Sequence, residues 1–201
     1  MCRLVRKTPT KRHKNGGSGV WEEVSEGVDE PVGGVVLGLT DEAGVRKAFD
    51  AIGQITSRIG ARDGGVLVSA MAPRGREVVV GLTRDLQFGH AVMFGLGGTL
   101  VEVLGDVAFR IVPVTGKDAA EMIAEIRGAR ILQGVRGGKP ADVAALRQLL
   151  VQVSDLVVKH PEIAEMDLNP VIVYENGLLI VDARIVPADG SEWRAGGAGH
   201  G

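Results

Sequence analysis

Asp167-Leu168-Asn169-Pro170-Val171-Ile172-Val173-Tyr174-Glu175-Asn176-Gly177-Leu178-Leu179-Ile180-Val181-Asp182-Ala183-Arg184 reads as two apolar strands around Asn176-Gly177, the strongest short-range hairpin signal. With Asn176 and Gly177 as a two-residue loop, Glu175 pairs with Leu178, Val171 with Asp182 and Asn169 with Arg184. Period-two alternation then points Asp167, Asn169, Asp182 and Arg184 to one side. Asn169 and Asp182 become diagonal neighbours, roughly 7–8 Å apart. Two oxygen-bearing side chains at that spacing can converge on one Mg²⁺, which takes one or two protein oxygens and completes its shell with water and substrate phosphates. A surface asparagine and a solvated aspartate beside Arg184 fit the hairpin equally well.

Upstream, Met93-Phe94-Gly95-Leu96-Gly97-Gly98-Thr99-Leu100-Val101-Glu102 joins a strand, a glycine loop and an acidic strand. Glycines after an apolar strand can turn consecutive backbone N–H groups toward an anion. The stretch lacks the GxxxxGK[ST] spacing of a P-loop and opens no Rossmann unit, so by itself it fits a plain turn. Arg76, Arg84, Arg110 and Arg136 suit bidentate phosphate contacts, or surface salt bridges. Arg136, set in Gly134-Val135-Arg136-Gly137-Gly138, is the best functional candidate of the four.

The rest of the chain alternates short strands and helices. Val32–Leu39 is a strand, and Thr40 caps a helix carrying Val45, Ala48, Phe49, Ile52, Ile55 and Ile59 at helical spacing. Val66–Met71, Glu77–Leu82, Ala91–Phe94 and Val107–Val112 are strands. Thr115 caps a second helix. A longer one starts after Lys139-Pro140 and ends at His160-Pro161. Strands and helices mix without strict alternation, which predicts a largely antiparallel sheet with helices on it. Residues 1–29 are a glycine-containing tail, basic to Lys14 and acidic from Glu22, read as disordered. Residues 188–201 are a flexible glycine-rich tail.

Bulk properties narrow the function classes. The 201 residues carry a net charge of −2, so nothing calls for nucleic acid or anionic lipid. Seven aromatics (two Trp, one Tyr, four Phe) leave little for base stacking. The single cysteine, Cys2, allows no internal disulfide and fits a reducing, cytoplasmic setting. No apolar run reaches the ~18 residues of a membrane span. No Ser-His-Asp, Cys-His or zinc-type spacing is present.

From about Pro31 to Pro187 the chain resembles the ATP-grasp subunit or domain of NDP-forming acyl-CoA synthetases, such as ADP-forming acetate–CoA ligase. The resemblance rests on Val32-Gly33-Gly34-Val35, Gly75 to Gly81, Arg84 to Gly89, Met93 to Glu102, Asp106 to Arg110, Gly134 to Gly137, Asp167 to Val171 and Val181 to Arg184. It implies an α/β (α+β) ATP-grasp fold, mostly the larger C-terminal lobe with its mainly antiparallel sheet and flanking helices, over residues 30–187. It implies an acid–thiol ligase in which acyl-CoA, ADP and phosphate give an acid such as acetate, CoA and ATP. The phosphate would pass through a phosphohistidine shared with a CoA-binding α-type subunit in a hetero-oligomer. By similarity Asn169 and Asp182 hold Mg²⁺, and Val68, Ser69 and Met71 meet adenine. Glu77 supports the nucleotide, Gly97 and Gly98 lie at its phosphates, and Arg136 and Glu102 serve the phosphoryl side. Two other readings are a catalytically impaired binding or regulatory module and part of a synthetase-like protein acetyltransferase assembly.

The family places a lobe before Val-Gly-Gly-Val, ending in an apolar strand with a nucleotide-binding lysine and a His-Lys-(Ser/Thr) segment. Here His13-Lys14 lies far from Val32, with no apolar strand read before it, and His13 is given no family role. Losing a nucleotide-gripping lysine removes charge stabilisation worth several powers of ten in related chemistry. The isolated chain is therefore expected to turn over little or no ATP. Robust Mg²⁺-dependent acyl-CoA formation by the purified chain alone would contradict this.

Overall fold

The computed structural model describes residues 2–6, 35–58, 66–97, 105–134 and 138–188. They belong to two units, Met1–Met71 and Ala72–Gly201. Among the described residues no helix is long and apolar enough to cross a membrane.

The first unit contains β1 (Cys2–Arg6), β2 (Val35–Leu39), α1 (Glu42–Arg58) and β3 (Val66–Ala70). Its antiparallel sheet runs β2-β1-β3. Ala48 and Ile52 of α1 are buried against Val36, Leu39, Val45 and Val66. Phe49, read as part of the same stripe, is 55% exposed, because the stripe is wider than the part this narrow sheet covers. Asp41, rather than Thr40, caps the helix. Its carboxylate accepts the Gly44 N–H at 2.7 Å, and its carbonyl accepts the first helical bond from Val45.

The strand Cys2–Arg6 corrects the reading of this segment as disordered tail with no strand ahead of His13. Five residues with two arginines carry no local strand signal. What makes them a strand is pairing on both edges, with Cys2 opposite Ala70 and Leu39, and Arg6 opposite Val66. Residues 7–34 and 189–201, which include His13, lie outside the described residues.

The second unit contains β4 (Arg76–Asp85), β5 (Gly89–Leu96), β6 (Val107–Ile111), α2 (Gly116–Glu125), α3 (Ala129–Leu132), α4 (Val143–Lys159), β7 (Ile163–Val173), β8 (Leu178–Ile180) and β9 (Ala183–Pro187). The order is β6-β5-β4-β7-β8, with β9 also on β7. Every pair is antiparallel, as the element pattern predicts. Val78, Val80, Leu82, Val92, Phe94, Met166, Leu168 and Val171 project from one face into a core with Met122, Ile123, Leu146, Leu150, Val153 and Val157 of α2 and α4. Alternate residues on the same strands face the other way. The helices thus cover one face of the sheet.

Two caps fix the helices. Thr115 and Asp118 form the capping box of α2. Helix α4 starts at Val143 rather than next to Pro140. Ala141 N–H is held by the Leu132 carbonyl and Asp142 N–H by the Tyr174 carbonyl, so the chain is tied elsewhere until Asp142. The Asp142 carboxylate then accepts the N–H groups of Ala145 and Gly177 at 2.9 and 2.8 Å. These bonds hold its pKa below the usual carboxylate range. Its end at His160 is as read.

Ser154 is a fully buried polar side chain on α4, and its hydroxyl accepts the Val114 N–H at 2.8 Å. Removing it orphans a buried donor. Ser154→Ala is expected to lower the unfolding free energy by ~1–3 kcal/mol, read from the urea midpoint. A loss below about 0.5 kcal/mol, the size of an ordinary surface change, would show that the bond is not needed.

Candidate functional site

The site begins with an irregularity in β7. Against β4, Val171 lies opposite Val78 and Leu168 opposite Val80. Asn169 and Pro170 together therefore face the single residue Val79. Proline has no N–H for the ladder and is tolerated inside a sheet mainly at such a bulge. Bulges re-aim side chains. Here the extra residue keeps Leu168 and Val171 in the core while Asn169 points to the open face with Asp167.

On its other edge β7 meets β8 with Val173 opposite Leu178, and β9 with Asp167 opposite Arg184. Between them, Asn169 N–H donates to the Asp182 carbonyl at 3.2 Å and Val181 N–H to the Pro170 carbonyl at 3.0 Å. Asn169 thus lies directly opposite Asp182 rather than diagonally. The loop is Tyr174–Gly177, closed by Tyr174 N–H on the Gly177 carbonyl at 3.0 Å, with Gly177 at φ +78°. Asn176-Gly177 does mark the turn. The longer loop follows from Asp142, remote in sequence, which takes the Gly177 N–H. The register moves by two residues, so each side chain keeps its face.

Cross-strand partners extend this face as a row from Arg184 through Asp167, Gly81 and Met93 to Phe109. The Met93 side chain lies so close over Gly81 that a Cβ there would meet its methyl group at 3.0 Å, and a Cβ at Gly95 would press on Val107. The floor is apolar, with Met93 half-buried and Phe109 and Ile111 exposed, and its β7 border carries two acids, an amide and Arg184. Such a surface suits a ligand with a flat apolar part and a charged part. Burial raises the Asp167 pKa above its ordinary value. Arg184 opposes the rise and the Asp182 carboxylate adds to it. Two mutually repelling acids beside an amide oxygen are a hard-oxygen donor set that a divalent cation would relieve. Among the described residues no group of three or more His, Cys, Asp or Glu forms a metal cluster, so the fit is to a cation that draws most of its shell from water or ligand.

The other predicted residues divide. Val68 and Ser69 lie in β3 and Met71 just after it. β3 is an edge strand of its sheet, so among the described residues no strand claims its outer backbone groups, as adenine recognition through the backbone needs. Glu77 is exposed on β4, next to Val78. Gly97 differs from the anion-loop reading. Its N–H is spent on the Glu77 carbonyl at 2.8 Å, and a Cβ there would crowd Glu77 and Val78. Close strand contact, rather than a free N–H, is what its glycine provides. Gly98, Glu102 and Arg136 lie outside the described residues.

Arg110 bonds Glu125 at 2.7 Å and the Phe109 carbonyl at 2.8 Å, the surface salt bridge that the plainer reading allowed. Sequence reasoning missed Gly81 and Gly95 as part of the open face. A glycine inside a strand is the signal that could have found them.

The sequence profile of the ATP-grasp domain family matches residues 29–186. The chain belongs to the ATP-grasp domain family. It is 49% identical over 156 residues to ADP-forming acetate–CoA ligase I of Archaeoglobus fulgidus, covering 77% of this chain and 23% of that protein. It is 47% identical over 157 residues to ADP-forming acetate–CoA ligase I subunit beta of Pyrococcus furiosus, covering 77% of this chain and 67% of that subunit. Among solved structures it superposes with TM-score 0.73 and 39% identity on dinucleotide-forming acetyl-coenzyme A synthetase 1 of Ca. Korarchaeum cryptofilum. The match covers 93% of this chain and 76% of that one. That structure holds coenzyme A and Mg-AMPPCP, with a phosphohistidine segment pointing towards its nucleotide binding site.

The raised Asp167 pKa gives a pH prediction for this ATP-grasp chain. A carboxyl whose folded pKa lies above its unfolded value costs stability once both states are ionised. The cost disappears below the unfolded pKa, ~3.9 for aspartate. Without divalent metal, Asp167→Asn is expected to raise the unfolding midpoint at pH 7, with the gain fading as pH falls through the ordinary carboxylate range. A variant less stable than the parent at pH 7 would contradict this.

Proposed function

We propose that the chain is the nucleotide- and Mg²⁺-holding component of an ADP-forming acyl-CoA ligase of the acetate–CoA type. The reaction converts acyl-CoA, ADP and phosphate to the free acid, CoA and ATP, with a phosphohistidine carried by a CoA-binding partner chain or domain. The carrying observation is the bulge that brings Asn169 opposite Asp182 on the open, part-apolar face. The 47% identity to the Pyrococcus furiosus beta subunit supports the reaction class, and the Mg-AMPPCP complex of the Korarchaeum protein supports the ligand. The same reading puts the chain in the cytoplasm with its nucleotide.

In this reading Asn169 and Asp182 hold one Mg²⁺ through side-chain oxygens. Bound there, Mg²⁺ offsets phosphate charge and fixes its orientation. Arg184 sits against Asp167 and moderates the repulsion between Asp167 and Asp182. Met93 and Phe109 receive the apolar part of the nucleotide. Val68, Ser69 and Met71 contact adenine and Glu77 supports the nucleotide. Glu102 and Arg136 act on the phosphoryl group.

Calorimetry of the purified chain tests this. MgADP and MgATP are expected to bind, and Asp182→Ala to weaken that binding about tenfold or more, or ~1.4 kcal/mol, while metal-free ADP binding changes little. Co-expression with a CoA-binding chain is expected to give copurification and phosphate-dependent release of acid from acyl-CoA. A folded parent chain indifferent to both nucleotides would sink the proposal.

A further inference from the structure

A cavity of 320 Å³ opens where β4 begins and the Tyr174–Gly177 loop leaves β7. Its walls include Arg74, Gly75, Arg76, Tyr174, Glu175 and Asn176. The proposed nucleotide chemistry uses none of them. Tyr174 lies roughly 15 Å along β7 from Asn169 at the usual strand rise.

The walls are pre-formed. A Cβ at Gly75 would strike Ile172 and press on Tyr174, so glycine lets the backbone of 74–76 close down on the end of β7. The Tyr174 hydroxyl donates to the Pro73 carbonyl at 3.2 Å, which holds the ring beside that backbone.

The charge around the cavity is unbalanced. Arg76 is half-buried, and its guanidinium meets only neutral acceptors. Nε donates to the Ile131 carbonyl at 2.7 Å and Nη2 to the Lys139 carbonyl. These bonds leave Nη1 for another acceptor. Arg74 is exposed, and among the described residues no acid pairs with either arginine. Glu175, the acid in the wall, is already neutralised by Lys139 Nζ at 2.8 Å. A cation drawn out of water calls for a counter-charge, and here no side chain in the wall supplies one. By sequence, Arg76 fits a phosphate contact or a salt bridge, and Arg74 only a turn after Pro73.

We propose that this cavity binds a phosphate group, held by Arg74, the Nη1 side of Arg76 and the Asn176 side-chain amide, beside the Tyr174 ring. Donors that converge from two elements suit a tetrahedral oxyanion, whereas a planar carboxylate pairs with one arginine fork at a time. Inorganic phosphate and a phosphomonoester share this chemistry, and the volume admits both. The site does not depend on the nucleotide reading.

Amide NMR shifts of the full chain, without divalent metal and at constant ionic strength, test the site. Inorganic phosphate is expected to give saturable shifts at Arg74, Gly75 and Asn176 with a Kd of ~1 mM or tighter. Phenyl phosphate separates the sources. Tighter binding than inorganic phosphate assigns the site to a phosphomonoester, and equal or weaker binding assigns it to the free ion. Arg74→Ala, at an exposed position, is expected to weaken phosphate about tenfold or more. Arg74→Lys is expected to restore only part of the loss, and Asp182→Ala to leave the phosphate shifts as they are. No saturation by ~10 mM phosphate, affinity unmoved in Arg74→Ala, or acetate competing as well as phosphate overturns the proposal. Loss of the shifts in Asp182→Ala places the phosphate at the proposed nucleotide position and overturns it too. A chain that binds phosphate here but no MgADP overturns the nucleotide reading and leaves this site standing.

Discussion

Pro170 cannot donate a hydrogen bond, and the open face depends on that missing N–H. A regular β7 would set each residue opposite one on β4, with a gap in the ladder at the proline. Instead Asn169 and Pro170 share one place opposite Val79. Leu168 and Val171 both stay in the core, and Asn169 comes to the same side as Asp167. The partner strand breaks at the same height, between β8 and β9, where Asn169 N–H holds the Asp182 carbonyl. One imino acid thereby aligns the amide and the acid.

The rest of the second unit makes that alignment durable. Its main apolar cluster sits on one sheet face under α2 and α4, so the β7 border of the other face can carry charge without weakening that core. Asp142 couples the layers, because one carboxylate caps α4 and also holds Gly177 in the loop that joins β7 to β8. Gly75 packs so closely on Ile172 and Tyr174 that a side chain would have to displace them. The end of β4 nearest the loop is therefore fixed as well, and Arg76 beside it reaches the Ile131 and Lys139 carbonyls.

Much of this was legible in the residues. The antiparallel sheet, the Thr115 cap, the end of α4 and the shared side of Asp167, Asn169, Asp182 and Arg184 follow from periodicity and turn chemistry. What escaped was set by long-range contacts. The four-residue loop depends on Asp142, and the strand Cys2–Arg6 on two partners far along the chain. The pairing of Gly97 N–H with Glu77 is invisible to a glycine count. The hairpin register was misjudged by two, an even number, so the face survived. A slip of one would have put Asp182 on the face opposite Asn169 and reversed the functional conclusion.

The most direct test is anomalous scattering from Mn²⁺ in crystals grown with ADP, with Mn²⁺ standing in for Mg²⁺. A peak bound by the side-chain oxygens of both Asn169 and Asp182, with the remaining shell from water and phosphate, is the predicted result. A peak elsewhere, or Asn169 and Asp182 turned to opposite faces of the sheet, would contradict the account.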